Sequence, residues 1–258
     1  MIKKVSDFEI MLLAEKKNIS VREATALAIE HNIIPERYLK NLGTISTQDQ
    51  AHICRTRLLV CGCGGLGGHI IQLAARLGFG FIRIVDHDRF DLSNLNRQPF
   101  CIADSLFFPK VLATKEIIRR INSLVEVEAF ESRVMPSHFD DVDIVLDGFD
   151  NPKDRISAEE EANRRGIPFI HGAVRGWWGQ VTTTMPDDRP KLKKLYAGVK
   201  REARKHEEEL GTLVPVVSMI ASVQIHEAIR IATSKSPLYS GKLFYWDGES
   251  GTAMIINL

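Results

Sequence analysis

The chain has 258 residues, of which 44% are hydrophobic and 26% are charged, a composition typical of a globular protein of one large or two small domains. Its 34 basic and 33 acidic residues give a formal charge of +1, which excludes a uniformly basic nucleic-acid-binding surface but allows a local basic site. The opening residues MIKKVSDFEIMLLAEKKNIS are too charged for a signal peptide. No stretch is expected to reach the roughly 18 apolar residues of a membrane helix. With four cysteines and no disulfide framework, we expect a cytoplasmic protein that does not contact a membrane.

The first segment predicts two short helices. Apolar residues recur at helical spacing through residues 5–31, and Ser20 with Glu23 three residues later is typical of the start of a second helix. Asn32 and Pro35 end the pattern. An arm of this size cannot form its own core, so we expect residues 1–44 to pack on the body of the chain or on a partner subunit.

The body, residues 45–258, reads as an α/β domain. A short apolar strand at residues 58–61 leads through a glycine cluster into a helix that ends at Gly78, and FIRIVD follows as a second strand. This βαβ unit implies parallel strands with a right-handed crossover. Later segments predict, in order, a helix over residues 110–122, strands at VEVEAF, DDVDIVLDGFD, IPFIHGAV and WGQVTTTMP, a polar loop and helix over 187–210, a long apolar helix and a closing hairpin.

The glycine cluster predicts a nucleotide site. Gly62, Gly64 and Gly67 fit G-x-G-x-x-G, directly after a strand and directly before a helix. Glycines let the backbone approach phosphates, and a helix N-terminus offers free N–H groups. Asp86 ends the next strand, where an acid commonly holds a ribose hydroxyl. A nicotinamide dehydrogenase would show the same features.

The polar residues that follow favour phosphate chemistry. Residues 93–98, Lys110, residues 147–151 and Arg155 bring cations and carboxylates to the predicted C-terminal ends of parallel strands, where open α/β sheets bind ligands. Each residue alone is also typical of a solvated surface or a helix cap. Together, cations that face phosphates and a carboxylate that can hold Mg²⁺ suit phosphoryl or nucleotidyl transfer, and they have no obvious use in hydride transfer.

A series of motifs along the chain resembles those of one protein family. The order RYLKNLG, GCGGLGG, VDHDRFDLSNLNRQ, FPKVLATK, DGFDN and HGAVRGWWGQVT resembles the ThiF/MoeB/HesA superfamily, the bacterial relatives of ubiquitin-activating enzymes. The likeness runs from about Arg37 to the C-terminus. It implies a homodimer of Rossmann-like subunits, each with a mostly parallel sheet extended by antiparallel strands, and it makes residues 45–258 an ATP-binding adenylation domain. It also implies ATP-dependent adenylation of the C-terminal glycine carboxylate of a small ubiquitin-like sulfur carrier that ends in Gly-Gly.

The resemblance also implies roles for individual residues. The nucleotide-binding set comprises the glycine-loop backbone, Asp86 at the ribose, and residues at the triphosphate or beside it: Gly62, Gly64, Gly65, Gly67, Asp86, Asp88, Asn94, Arg97, Lys110 and Asn151. Arg97, Lys110 and Asp150 form the catalytic set together with Lys40, and Asp150 holds Mg²⁺. The carrier carboxylate is already a nucleophile, so the reaction needs positioning and charge stabilisation rather than a general base.

Lys40 is a departure from the family pattern. Relatives place there an arginine that reaches the partner subunit's ATP site; lysine keeps the charge but loses the bidentate fork. Arg37 is an alternative for that role, and a plain surface lysine is another.

The cysteines are the other departure. The chain has no CxxC pair, so we expect no zinc. The stretch KHEEELGTLVP lacks the cysteine that relatives use for a thioester or persulfide, and Cys63 and Cys101 are possible substitutes outside that loop. Cys61 and Cys63 have the wrong spacing for a zinc pair and are otherwise expected to fill small buried spaces, and Cys54 precedes the first strand of the body. This pattern favours a MoeB-like enzyme that leaves sulfur delivery to a separate donor, in molybdopterin-type or thiamine-type biosynthesis.

Several alternatives stay open at this point. The cations of the 187–210 segment either steer an acidic carrier or form a solvated face: Lys191, Lys193, Lys194, Lys200, Arg201, Arg204 and Lys205. Trp177 and Trp178 either form an apolar wall near the site or are core or dimer contacts. The acceptor is a carrier or another group such as a tRNA nucleoside, although the near-neutral charge argues against a nucleic-acid partner. Two other functions stay open. One is an NAD-dependent oxidoreductase, in which His171 would be catalytic rather than a buried histidine. The other is a non-catalytic nucleotide-binding module.

Overall fold

A computed structural model describes residues 2–197 and 210–258 of the chain. The helices are α1 (Asp7–Lys17), α2 (Val21–Glu30), α3 (Thr47–Arg55), α4 (Gly65–Leu77), α5 (Lys110–Ile121), α6 (Pro152–Arg164), α7 (Leu192–Ala197) and α8 (Val214–Ala232). The strands are β1 (Lys3–Val5), β2 (Ile33–Pro35), β3 (Arg57–Cys61), β4 (Phe81–Asp86), β5 (Glu126–Glu131), β6 (Ile144–Asp147), β7 (Phe169–Arg175), β8 (Trp178–Thr184), β9 (Lys242–Asp247) and β10 (Thr252–Asn257).

One eight-stranded sheet organises the body, in the order β10-β9-β8-β7-β6-β3-β4-β5. The strands from β5 to β7 pair in parallel, with Leu58 of β3 opposite both Ile82 of β4 and Ile144 of β6. β8, β9 and β10 extend the sheet with antiparallel pairs. This is the predicted fold class, a Rossmann-like parallel sheet with antiparallel strands at one side, and the prediction is confirmed.

The central strand β3 is buried on both faces. Leu58 and Val60 join the apolar cluster that contains residues of α4 and α8, whereas Leu59 and Cys61 join the cluster on the α6 side of the sheet. Successive side chains of a strand point to opposite faces, so this continuous apolar run supplies two helical layers at once. The C-terminal ends of the parallel strands are therefore fixed from both sides.

The N-terminal arm forms two helices beside a two-stranded parallel sheet of β1 and β2. Ser20 caps α2 by accepting the N–H of Glu23, as their spacing predicted. The arm packs on its own chain, since Glu23 pairs with Arg55 of α3 at 2.9 Å and one apolar cluster runs from Ile10 of α1 to Cys54 of α3. The domain boundary after residue 44 stays a prediction.

Helix α8 corrects one expectation. Among the described residues it is the one helix that is long and apolar enough, over 19 residues, to cross a membrane by length and composition, whereas no such stretch was expected from the sequence. Val217 and Ile220 of this helix lie in the main apolar cluster, and the helix contacts α4, β7 and β8. A helix in the core of a globular fold meets the same length and composition test.

Candidate active site

A cleft of about 1160 Å³ lies at the C-terminal ends of the parallel strands. It is the place that the strand order predicts for a ligand. Most of the predicted site residues line it: Gly62, Gly64, Gly65, Asp86, Asp88, Arg97, Lys110, Asp150 and Asn151. Gly67, Asn94 and Lys40 are not among the lining residues.

The glycine loop brings the N-terminus of α4 against the end of β3. Gly62 has φ +100°, and a Cβ there would lie 2.6 Å from the Gly148 carbonyl oxygen. A Cβ on Gly67 would lie 1.8 Å from the Gly62 carbonyl oxygen, so Gly67 permits close packing of helix on strand rather than lining the cleft. Gly64 is the N-cap and has no side chain to occupy the first N–H groups of α4. The helix end therefore presents free donors and a positive dipole to the cleft, which suits a phosphate.

Asp86 ties the glycine loop to the end of β4. One oxygen of its carboxylate accepts the Cys63 N–H at 2.7 Å, and the other accepts the Asp88 N–H at 2.8 Å. Asp88, which is half exposed, accepts a hydrogen bond from the Lys110 ammonium at 3.1 Å. Lys110 is the first residue of α5 and its side chain is buried. The cation thus reaches the cleft from a fixed position.

Arg97 and Asn94 come from the turn after β4. The Arg97 guanidinium donates to the Ser93 carbonyl at 2.9 Å and to the Asn96 side chain at 2.8 Å, and its side chain passes within 3.8 Å of a Cβ built on Gly65. It is therefore held over the start of α4. The Asn94 side chain is buried and accepts the Asp91 N–H at 3.2 Å, so here it shapes the turn, and its predicted contact with a triphosphate stays a prediction.

Asp150 and Asn151 form the far corner of the cleft. Asn151 caps α6 by accepting the Asp154 N–H at 2.9 Å, and its amide donates to the Asp150 carboxylate at 3.2 Å. Asp150 is exposed at the cleft. The predicted shaping role of Asn151 thus has a geometric basis in a helix cap.

Lys40 lies outside the cleft of its own subunit and is exposed. The alternative residue, Arg37, is engaged within its chain, because its guanidinium donates to the Asp7 carboxylate and to the Ile121 carbonyl. Of these two cations, Lys40 is the one left available to a partner subunit, and action across a dimer stays a prediction.

Gln98 and Arg155 belong to the polar residues noted in the sequence, but neither had an individual role in the prediction. Gln98 is 6% exposed, lines the cleft, and its side-chain oxygen has no hydrogen-bond partner among the described residues. Arg155 also lines the cleft, and under it lie Asp147 and His171, buried and hydrogen-bonded at 2.6 Å. Of the two alternatives for His171, catalytic or buried, the structure shows the buried one, and His171 does not line the cleft.

The cysteines offer no ready thiolate. All four are buried, and burial raises the pKa of Cys54 to about 12 and the pKa of Cys61 and Cys63 well above the usual value. Burial also raises the pKa of Cys101. Because the thiolate is the nucleophile, Cys63 and Cys101 are poor substitutes for a cysteine in the 205–215 stretch, of which residues 205–209 lie outside the described residues.

The two tryptophans and the basic residues of the 187–210 segment differ in where they lie relative to the cleft. Trp178 lines the cleft and stacks on Tyr245 at 6.3 Å, whereas Trp177 is half exposed and is not a lining residue. Lys191 is held by Asp188 at 2.8 Å. The remaining basic residues of the predicted steering segment are either exposed on α7 or lie outside the described residues: Lys193, Lys194, Lys200, Arg201, Arg204 and Lys205.

Two acidic positions could be considered for a divalent cation. Asp86, His87 and Asp88 have ligand atoms within 4.8 Å of one another, but both Asp86 oxygens already accept backbone N–H groups and Asp88 pairs with Lys110. Asp150 is exposed at the cleft and accepts only from the neighbouring amide among the described hydrogen bonds. Since Mg²⁺ is usually held by one or two carboxylates together with substrate phosphates and water, Asp150 fits this cation better.

Fold, cleft and relatives together define an adenylyltransferase. The chain belongs to the ThiF family, whose model it matches over residues 37–258. It is 29% identical over 224 residues to the SAMP-activating enzyme E1 of Haloferax volcanii, covering 84% of this chain and 83% of that protein. It is 29% identical over 214 residues to the molybdopterin-synthase adenylyltransferase of Haemophilus influenzae, covering 81% and 88%.

Solved structures agree on the fold. The crystal structure of Escherichia coli MccB with ATP superposes with a TM-score of 0.72 at 19% identity, over 86% of this chain and 70% of that chain. Other curated relatives are longer: the match covers only 56% and 53% of the adenylyltransferase and sulfurtransferase MOCS3 of Dictyostelium discoideum and of Arabidopsis thaliana.

Proposed function

We propose that this protein uses ATP to adenylate the C-terminal glycine carboxylate of a small ubiquitin-like sulfur carrier, giving an acyl-adenylate and pyrophosphate. One observation carries the proposal: a single cleft holds the open N-terminus of α4, the cations Arg97 and Lys110, and the carboxylate of Asp150. The names of relatives support the carrier class, since two of them are a SAMP-activating enzyme and a molybdopterin-synthase adenylyltransferase.

The nucleotide end of the cleft accounts for ATP binding. The ribose lies at Asp86, and the phosphates lie against the glycine loop and the first N–H groups of α4. The orphaned oxygen of Gln98, which is buried beside Gly64, adds one acceptor for a nucleotide hydroxyl or a bound water.

Asp150 would hold Mg²⁺, and the bound cation would neutralise part of the charge of the triphosphate. Asn151 holds the Asp150 carboxylate on its helix-cap side. No other described residue needs to move for this carboxylate to face the cleft.

The chemistry needs no general base. The carrier carboxylate attacks the α-phosphorus, the bond from that phosphorus to the bridging oxygen breaks, and pyrophosphate leaves with the electron pair. Lys110 and Arg97 stabilise the charge that develops on the phosphates. Both cations are held by neighbours before the substrate arrives, so little reorganisation is required.

The cleft is also lined by Arg175, Trp178, Gln180 and Thr212. We place the C-terminal tail of the carrier along these residues. An extended Gly-Gly tail has little side-chain bulk, so it can bring its carboxylate close to the nucleotide within this cleft.

We also propose that the protein is a homodimer in which Lys40 reaches the partner's phosphates. A group of exposed apolar side chains within residues 92–112 supports this, each of them 45–65% exposed: Leu92, Leu95, Ile102, Phe107, Phe108 and Leu112. Groups of this kind commonly mark a protein interface. The enzyme acts in the cytoplasm and passes the activated carrier to a separate sulfur donor, in molybdopterin-type, thiamine-type or related biosynthesis.

A trapping experiment tests this function. The protein is incubated with ATP, Mg²⁺, hydroxylamine and a panel of small carriers ending in Gly-Gly, and each carrier is analysed by intact mass. We expect a C-terminal hydroxamate on one carrier, and none on the same carrier without its last glycine. If no carrier reacts while ATP is bound, the acceptor is another carboxylate or a nucleoside; if NAD binds in place of ATP, the proposed function is wrong.

A further inference from the structure

A buried polar network lies directly beneath the Asp150 corner. Asp147 at the end of β6 and His171 in β7 are 0% and 1% exposed, and Arg155 of α6 is 6% exposed. One oxygen of the Asp147 carboxylate accepts from His171 Nδ1 at 2.6 Å and from Arg155 at 3.1 Å. A buried network of this kind is costly unless its members are paired, and here each is.

The network clamps the peptide that precedes Asp150. The second oxygen of Asp147 accepts the Phe149 N–H at 2.9 Å, and Arg155 donates to the Phe149 carbonyl. Both polar groups of residue 149 are thus held from below, while Asn151 holds the other side of Asp150 through the helix cap. The position of the Asp150 carboxylate follows from these two anchors.

His171 sets the direction of the Asp147 carboxylate. With Nδ1–H donating to Asp147, its Nε2 is left as an acceptor for the Gln180 amide and the Tyr196 hydroxyl, each at 3.4 Å. Gln180 and Tyr196 line the cleft. The ring therefore spans from the cleft wall to the carboxylate that holds the Asp150 loop, and Arg155 and Glu159 are the other charged groups that face it.

We infer that His171 is a positioning residue: by orienting Asp147, it fixes the Phe149 peptide and so keeps the Asp150 carboxylate placed for a divalent cation bound with nucleotide. This inference rests on the proposed function, which assigns the cation to Asp150. Groups that orient a ligand without touching the metal typically contribute 10–100-fold in affinity. The contribution of His171 should therefore show as the gain in ATP affinity that a divalent cation brings.

Two substitutions at the same position separate positioning from simple packing. In His171→Asn, the amide nitrogen takes the place of Nδ1 and can still donate to Asp147. In His171→Gln, the amide lies near the place of Nε2, so contact with Gln180 is kept and the bond to Asp147 is lost. Thr183→Val is the matched control, since it breaks another buried hydrogen bond, to Glu227 at 2.8 Å, away from the cleft.

The measurement is the dissociation constant of ATP with Mn²⁺ and with EDTA, by calorimetry, for each variant of the full chain, with Tm recorded for each. We expect His171→Gln to reduce the Mn²⁺-dependent gain by about tenfold, and His171→Asn and Thr183→Val to keep it. If the gain is the same in all variants while Tm falls, or if Asn loses as much as Gln, the positioning role is wrong although ATP binding stands. If the wild-type protein binds no ATP, the proposed function is wrong and this inference falls with it.

Arg155→Lys replaces His171→Gln if the latter does not fold. Lysine keeps the charge but cannot span both Asp147 and the Phe149 carbonyl. The same tenfold loss of the Mn²⁺-dependent gain is expected, and an unchanged gain would overturn the inference.

Discussion

The Asp86 carboxylate holds the glycine loop to the end of β4, because it accepts the Cys63 N–H at 2.7 Å. Its other oxygen accepts the Asp88 N–H. The residue that the sequence assigned to the ribose thus also shapes the loop assigned to the phosphates. A substitution of Asp86 should therefore affect both the ribose contact and the shape of the glycine loop.

Asp86→Asn tests this coupling. The amide keeps one acceptor and turns the other into a donor that faces a backbone N–H, and a hydrogen bond to a charged group contributes about 1.5–3 kcal/mol. We expect ATP affinity to fall at least about tenfold and Tm to fall by several degrees. Asp104→Asn, at an exposed position away from the cleft, is the control; equal behaviour of the two variants in calorimetry and thermal melting would contradict the coupling.

Gly67→Ala tests the close approach of α4 to β3. The new Cβ would lie 1.8 Å from the Gly62 carbonyl oxygen, a backbone atom that cannot step aside as a side chain does. We expect a loss of about 3 kcal/mol or more in the free energy of unfolding, measured by urea denaturation. Gly211→Ala has open space within 4 Å and should change stability by less than about 0.5 kcal/mol. A Gly67→Ala protein of wild-type stability would show that the helix and strand are not packed this closely.

Acid should destabilise the fold through its buried histidines. Burial lowers the pKa of His171 below the usual 6.5, as it does for His69 and His138. Above pH 6.5 these rings are neutral in both states; below it, the unfolded chain takes up protons that the folded chain does not, so stability falls until the lowered pKa is passed.

Urea denaturation between about pH 7.5 and about pH 5 measures this slope. We expect His171→Asn to flatten the slope in part, since His69 and His138 remain. An identical slope in wild type and His171→Asn would show that His171 does not contribute.

Mixing two inactive variants tests the action of Lys40 across a dimer. Lys40→Ala and Lys110→Met proteins are denatured and refolded together, so that about half of the dimers are mixed. If Lys40 serves the partner's site, each mixed dimer has one site with both lysines and the mixture recovers roughly a quarter of wild-type activity. No recovery would place Lys40 in the site of its own subunit, and a Lys40→Ala protein that is active by itself would place Lys40 outside the reaction. Sedimentation of a Phe107→Asp and Phe108→Asp double variant separately checks the exposed apolar side chains, and we expect monomers.

The sequence predicted the body of the fold because the apolar runs and the glycine punctuation are strong local signals. The strand at residues 58–61 and the cap at Ser20 illustrate this, and both are present. It did not predict β1 and β2, which have three residues each, nor α6, whose residues are mostly polar and show little helical periodicity. Short strands and polar helices depend on tertiary contacts that local pattern does not carry.

The candidate site was predicted as a set of residues rather than as a geometry. The order of the motifs predicted Asp86, Lys110 and Asp150 as site residues, and all three line one cleft. The clamp on Phe149 could not be predicted, because it joins Asp147, Arg155 and His171 from three separate elements. His171 illustrates the limit: its side chain type allowed catalysis, and only its burial decides against direct contact with substrate.

Carrier-dependent ATP–pyrophosphate exchange with Mg²⁺ tests the central proposal most directly. We expect exchange that requires a carrier ending in Gly-Gly, and that falls at least about 100-fold in Asp150→Ala and in Lys110→Met. Glu160→Gln on α6 and Lys115→Met on α5 each remove one exposed charge outside the cleft and should retain exchange. Exchange that is independent of Asp150 and Lys110, or ATP binding without exchange for any carrier, would contradict the account.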